Sequence, residues 1–309
     1  MQVLLAGATG AIGRPLIRAL TANGHAVTAI VRSPTAETVV RELGADAVIA
    51  DALDRDGLLR AVERVRVDAV LHEATALRKV KATRRIPADD PTGLLRTVGT
   101  ANLLAAAEVV GARRFVTQSL ILGYGYQDHG PRPRTERDRF GVCDGGVADE
   151  VVRACVDGER QVFDAAGVEG IALRYGLFYG PGTFSDLFAG MMRKRVPVGP
   201  LGQGGVLSWV HVDDAAAATV AALERGTPGR AYNIADDSPI TWERFFTEVA
   251  RAHHTPRPIR LPAWAIRLAI PYLGALMVDT SMRISSELAH EELDWRPRYA
   301  DLAAGLAAS

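Results

Sequence analysis

A doubly wound α/β fold, with parallel strands in one sheet and helices packed on both of its faces, is what this 309-residue chain predicts. Three observations lead there. Short apolar runs of strand type alternate with helix-like segments, the first run ends in glycines spaced G-x-x-G-x-x-G, and the pattern loosens into Gly/Pro-rich stretches only after Tyr175. Val3 to Ala6 is too short for a helix and is broken by Gly7. From Ile12 onward, Ile12, Leu16, Ile17 and Leu20 recur at helical spacing. Gly7, Gly10 and Gly13 therefore lie between a strand and a helix N-terminus, where the backbone can approach a pyrophosphate and the helix dipole favours its charge. Further strands are predicted at Ala26–Val31, Ala47–Ala50, Ala69–His72, Arg114–Gln118 and Ile171–Arg174. Alternation of this kind implies right-handed crossovers and a Rossmann-like sheet.

"LSWVHVDDAAAATVAALE" returns briefly to the sheet, and the chain ends in a helical tail. The implied division is a nucleotide-binding domain of residues 1–175 and 207–238, with a smaller C-terminal substrate lobe of residues 176–206 and 239–309 closing over the strand ends. Lys+Arg and Asp+Glu each number 36, so overall charge gives no reason to expect nucleic acid or an anionic membrane as a partner. The two cysteines, Cys143 and Cys155, suit neither a disulfide framework nor a metal site, and His253 and His254 lack a second ligand pair, so no metal is expected. The first apolar residues already belong to the first strand, so no export signal and a cytoplasmic location are expected. Leu261 to Met277 is greasy, but it carries Arg267 and two prolines, and it reads as helices roofing a pocket.

The second strand leads into Arg32, nineteen residues after Gly13, near where an acidic residue would hold the ribose of NAD. A guanidinium suits a 2′-phosphate, which favours NADP over NAD, with Ser33 as a helper. Asp51, after the third strand, is placed either to reach the adenine edge or to cap the next helix.

At this point the chain resembles the extended short-chain dehydrogenases/reductases, the NAD-dependent epimerase/dehydratase family. The resemblance runs in order through "GATGAIG", "AVLHEAT", "TVGTANLLAAA", "RRFVTQS", "LRYGLFYGPG", "SWVHVDDAA", "AYNIADD" and "LDWRPRY". It implies a cofactor-binding set of Gly7, Thr9, Gly10, Ala11, Ile12, Gly13, Arg32, Ser33, Asp51, Ala52, Glu73, Ala74 and Tyr175. The family's proton relay is a Tyr-x-x-x-Lys pair on one helix, assisted by a Ser or Thr after the fifth strand. Anchored on Glu159, the resemblance puts Val151 at the tyrosine position and Cys155 at the lysine position. No register restores the pair, because none of Lys79, Lys81 and Lys194 lies four residues after a tyrosine. The family's serine position falls on Leu120, next to Ser119, and its helix-four asparagine falls on Arg96.

A replacement acid is expected in "GYGYQDHGPRPRTERDRF", which leaves the carboxyl end of the fifth strand. Tyr124, Tyr126 and His129 are the candidates there, with Asp128 and the neighbouring Ser119. Leu207 stands where nucleotide-sugar members of the family carry an arginine, which points to a largely apolar small molecule as substrate. Arg193, Lys194 and Arg195 form a basic helix end, and the apolar helix from Thr97 to Val110 offers a surface for a homodimer. The expected activity is an NADP-dependent oxidoreductase acting on a carbonyl or enone. The alternatives are a non-redox dehydratase, isomerase or cyclase, and a non-catalytic NADP sensor.

Overall fold

The computed structural model describes residues 1–77 and 83–308; Lys79 and Lys81 lie outside the described residues. The chain runs β1 (Gln2–Ala6), α1 (Gly13–Ala22), β2 (Ala26–Val31), α2 (Pro34–Glu42), β3 (Asp46–Ile49), α3 (Arg55–Val62) and β4 (Ala69–His72). A helix in three parts follows: α4 (Pro91–Leu94), a π-helical turn (Leu95–Gly99) and α5 (Thr100–Val110). Then come β5 (Arg114–Leu120), α6 (Asp149–Asp164), β6 (Glu169–Tyr175), β7 (Leu177–Tyr179), α7 (Phe184–Arg193), β8 (Val206–Leu207), β9 (Trp209–His211), α8 (Val212–Arg225) and β10 (Arg230–Ile234). β11 (Ile240–Thr241), α9 (Trp242–Ala252), α10 (Ala263–Ala269), α11 (Pro271–Gly274), a second π turn (Ala275–Asp279), α12 (Glu287–Leu293) and α13 (Leu302–Ala307) complete it.

Seven strands form one sheet in the order β10-β6-β5-β4-β1-β2-β3, every pair parallel. The limits of the six strands expected from the sequence hold to within two residues, but "LSWVHV" does not rejoin this sheet: β8 pairs with β11 and β9 with β7 in two small sheets, and β10 takes the seventh place. The order reverses between β1 and β4, the switch point at which such sheets open a crevice beyond their carboxyl ends. On one face, Leu16, Ile17 and Leu20 of α1 pack with Ala215, Ala218 and Ala222 of α8. On the other, Leu58 and Val62 of α3 join Leu103, Ala106 and Val110 of α5. Each fully buried leucine contributes roughly 1.5–3 kcal/mol, so the helical spacing seen in the sequence becomes adhesion to the sheet.

Local chemistry sets the helix limits. Ser33 Oγ accepts from Ala36 N at 3.3 Å and Pro34 opens α2, so the Ser33 hydroxyl expected to help hold a phosphate serves first as a helix cap. Asp51 does not cap α3. Asp54 does, accepting from Gly57 N at 3.1 Å, while Asp51 Oδ1 accepts from Leu53 N at 2.9 Å in the preceding turn. Gly111, at φ +75°, ends α5.

A third apolar cluster holds the later part of the chain together, with Trp209 stacked on Phe245 at 4.0 Å between ring centres and Phe188, Trp242 and Phe246 around them. The greasy stretch from Leu261 folds as α10, α11 and the second π turn. Among the described residues no helix is long and apolar enough to cross a membrane.

Candidate active site

The glycine turn is built by close backbone approach. Gly7 has φ +93°, and a Cβ on it would lie 2.4 Å from the Glu73 carbonyl; one on Gly13 would lie 2.2 Å from Gly7 O. These two glycines press the turn onto the end of β4 and onto α1. Gly10 differs, because a Cβ there would meet one atom, Gly7 O at 3.0 Å, and otherwise open space. Thr9, Gly10 and Ala11 are half-buried along this opening and Ile12 is buried beneath it. Ile12 precedes α1 without a side-chain acceptor, and the first turn carries no acidic residue, which leaves positive helix-end potential facing the gap. Arg32 is exposed beyond the tip of β2. This arrangement fits the pyrophosphate of a dinucleotide. Ala52 is buried, and its carbonyl accepts from Asn102 Nδ2 at 2.9 Å, tying α5 to the loop after β3.

Beneath the turn the side chains are committed to the core. Glu73 is buried, its carboxyl pushed up to about 8 by burial, and Oε1 accepts from Tyr175 OH at 3.1 Å. That phenol also lies 2.7 Å from Thr219 Oγ1. The phenol of Tyr175 and the carboxyl of Glu73 thus face each other inside the fold. Ala74 is held by its amide to His72 Nδ1 at 3.3 Å and by its carbonyl to Gln118 Nε2 at 3.1 Å. His72, bound to Leu95 O at 3.0 Å, is brought down to about 4 chiefly by burial.

The loop after β5 divides its candidates. Tyr124 is fully buried; its hydroxyl accepts from Arg174 Nη1 at 3.0 Å and lies 3.0 Å from both Thr135 O and Asn233 Oδ1. Arg174 in turn grips both oxygens of Glu159 and lies over the Phe140 ring at 3.7 Å. Burial raises the Tyr124 phenol to about 12. Its geometry is that of a structural group, contrary to the expectation that it donates to a substrate. His129 gives its ring nitrogen Nε2 to Gly125 O at 3.0 Å, and its neighbours are Arg134, Asp128 and Asp138. That position is local to the loop.

Tyr126 instead reaches Tyr272 of α11, hydroxyl to hydroxyl at 3.2 Å. Burial raises both phenols, so both keep their protons at neutral pH, and the nearby charge of Arg96 acts on each. The same charge acts on Cys155, whose thiol is buried and pushed up by burial, a core position unsuited to a nucleophile. Ser119 is buried next to that thiol. Val151 is half-buried on the same helix, and with Arg96, Gly93, Thr97, Ile86 and Pro87 it lines a cleft of about 240 Å³. Tyr272 was not anticipated from the sequence, and Arg96 was noted there only as a replaced asparagine. A lone arginine inside "GLLRTVGTANLLAAA" was the available signal for the second, since a charge on an otherwise apolar helix asks for a partner. Leu207 is fully buried, Arg283 Nη1 donates to Gly130 O at 3.1 Å, and Arg193, Lys194 and Arg195 are exposed.

Known proteins agree with this architecture. The chain is similar at 37% identity to 3-diazoavenalumate denitrifying reductase of a Streptomyces species, covering 99% of each chain, and at 28% to ceramide reductase of Caulobacter vibrioides, covering 98% of this chain and 88% of that one. Its fold superposes on UDP-glucose 4-epimerase of Thermotoga maritima with a TM-score of 0.79 at 21% identity, covering 99% and 96%. Residues 3–235 match the NAD dependent epimerase/dehydratase family, and with the parallel sheet and glycine turn already in place, the chain is a member of that family.

Proposed function

We propose that this protein is an NADPH-dependent reductase that directs hydride to an electrophilic carbon of a small, largely apolar metabolite and supplies no proton from a Tyr-x-x-x-Lys pair. The observation that carries the reading is the contrast between an open glycine turn with Arg32 at its edge and an α6 that offers Val151 and Cys155 where the relay would stand. Gly10 and the first turn of α1 would receive the pyrophosphate, and Arg32 a 2′-phosphate.

A reductase without a proton relay suits a substrate whose reduction needs none. Held by the glycine turn and Arg32, NADPH would supply a hydride; at a carbon bearing a diazonium group the C–H bond would form as the C–N bond breaks, with dinitrogen leaving with the bonding pair. The similarity to a denitrifying reductase of a diazo compound supports this choice. The chain's own part would be to orient the acceptor and exclude water, a task we assign to the Tyr126–Tyr272 pair, Val151 and the helices α10 and α11. A second reading is favoured by that tyrosine pair: Tyr126, holding its proton, would donate to the oxygen of a carbonyl or enone. Val98 and Val109, both exposed on the helix from Thr97 to Val110, are the surface we assign to a second copy of the chain.

The test is consumption of NADPH and NADH with an arenediazonium acid and with matched ketones and enones. The diazonium reading expects NADPH use with one dinitrogen released per turnover, and Tyr126→Phe within about threefold of the parent. A fall of about 10²-fold or more in Tyr126→Phe with ketones or enones selects the second reading. Arg32→Ala should raise KM for NADPH by about 10-fold or more and leave NADH unchanged. Binding without consumption of either coenzyme overturns both readings.

A further inference from the structure

The structure points to Arg96 as the anchor for a substrate carboxylate, and we propose that the site takes a small aromatic or conjugated acid. For its chemistry this rests on the reductase reading above; for binding it rests on Arg96 alone. Arg96 is 4% exposed, and its Nε and Nη2 are buried without a hydrogen-bond partner among the described residues. Those two N–H groups share one edge of the guanidinium, the edge that grips a carboxylate through two parallel hydrogen bonds. A buried guanidinium left unanswered is strongly unfavourable, so its retention asks for an anion that arrives from outside.

The surroundings say where that anion would sit. Arg96 lies in the π turn Leu95–Gly99, an irregularity that often marks a functional site. It is a wall of the cleft, and its charge reaches Tyr126, Tyr272 and Cys155, the groups that occupy the expected catalytic end. Three carboxylates border the same cleft, and each is already engaged. Asp90 accepts from the amides of Thr92 and Gly93, both at 3.0 Å. Glu150 is paired with Arg153, and Asp157 is paired with Arg160 and accepts from Gln161 at 2.7 Å. The guanidinium is the group left over. Ile86, Pro87, Ala88 and Val151 give the cleft apolar walls beside the guanidinium, fit for a flat carbon skeleton ending in a carboxylate.

Calorimetric titration of the NADP⁺-loaded protein with cinnamate and with cinnamamide tests this without turnover. Cinnamate should bind at least about 30-fold more tightly than the neutral amide. Arg96→Gln should bring cinnamate to the level of the amide, Arg96→Lys should retain part of the preference, and affinity for NADPH should stay within about twofold in both. Equal binding of acid and amide by the parent protein overturns the proposal, as does binding of neither. An Arg96→Gln variant that loses NADPH as strongly as cinnamate would reassign the guanidinium to the coenzyme. Because no reaction is read, a failed reductase assay leaves this result standing, and the reverse also holds.

Discussion

Arg174 and Arg96 are buried to nearly the same degree, at 7% and 4% exposure, yet they sit in opposite circumstances. Arg174 bridges β6 to α6 through Glu159, holds the Tyr124 hydroxyl and lies over Phe140, so each of its three nitrogens has a partner and its face is covered. Arg96 has two buried donors without a partner among the described residues. The first charge belongs to the fold. The second has the character of a group held ready for a ligand, because the interior answers it only in part. Glu73 shows a third outcome, a buried acid that avoids charge by keeping its proton.

The sharpest way to break the comparison is to remove the paired arginine. Arg174→Met strands the Glu159 carboxylate inside the protein and should lower unfolding free energy by about 3–5 kcal/mol in urea titrations, while Arg174→Met with Glu159→Leu should recover most of it. If the single variant is as stable as the parent, the bridge does not hold the fold. Next in size is Gly158→Ala. Its Cβ would stand 2.8 Å from Arg96 O, so α6 must retreat from the π turn, and a loss of about 1–3 kcal/mol is expected by the same titration.

Glu73→Gln sharpens the third outcome through pH. The folded chain holds this carboxyl at about 8 against an ordinary 4.5, so between those values the native state keeps a proton that the unfolded chain has released. The group's contribution to stability therefore declines as pH rises through that window and levels off above it. Glu73→Gln should match the parent near pH 4 and gain a few degrees in Tm by pH 8, read as the difference between two thermal scans. A constant difference across the window would place the carboxyl elsewhere. The smallest effect is expected for Arg96→Met, with stability within about 1 kcal/mol of the parent or above it, because an unpaired buried charge is exchanged for an apolar chain of similar length. A loss as large as that of Arg174→Met would erase the distinction between the two arginines.

Much of this site was legible before any coordinates. The six strands read from "VLLA" to "IALR" reappear with small shifts, because buried parallel strands are short apolar runs cut off by turn residues. The glycine spacing announced the turn, since Gly7 and Gly13 admit only a hydrogen where backbone meets backbone and Gly10 keeps the surface between them open. Less legible was the division of labour in "GYGYQDHG". Tyr124 and Tyr126 are two residues apart and chemically identical, yet one is locked to Arg174 and the other faces Tyr272, nearly a hundred and fifty residues later. Likewise the sequence offered Asp51 as a cap for α3, and the fold gives that role to Asp54, which the turn places opposite the amide of Gly57.

By itself the sequence determined the sheet, the glycine turn beneath a dinucleotide and the absence of any tyrosine followed four residues later by lysine, because periodicity, glycine spacing and residue identity are local properties. Only the tertiary structure decided which buried polar groups are satisfied. Whether an arginine is a strut or an open hand depends on what distant segments bring to it: β6 carries Arg174 to Glu159, and the cleft beside Arg96 brings no described carboxylate within hydrogen-bonding reach.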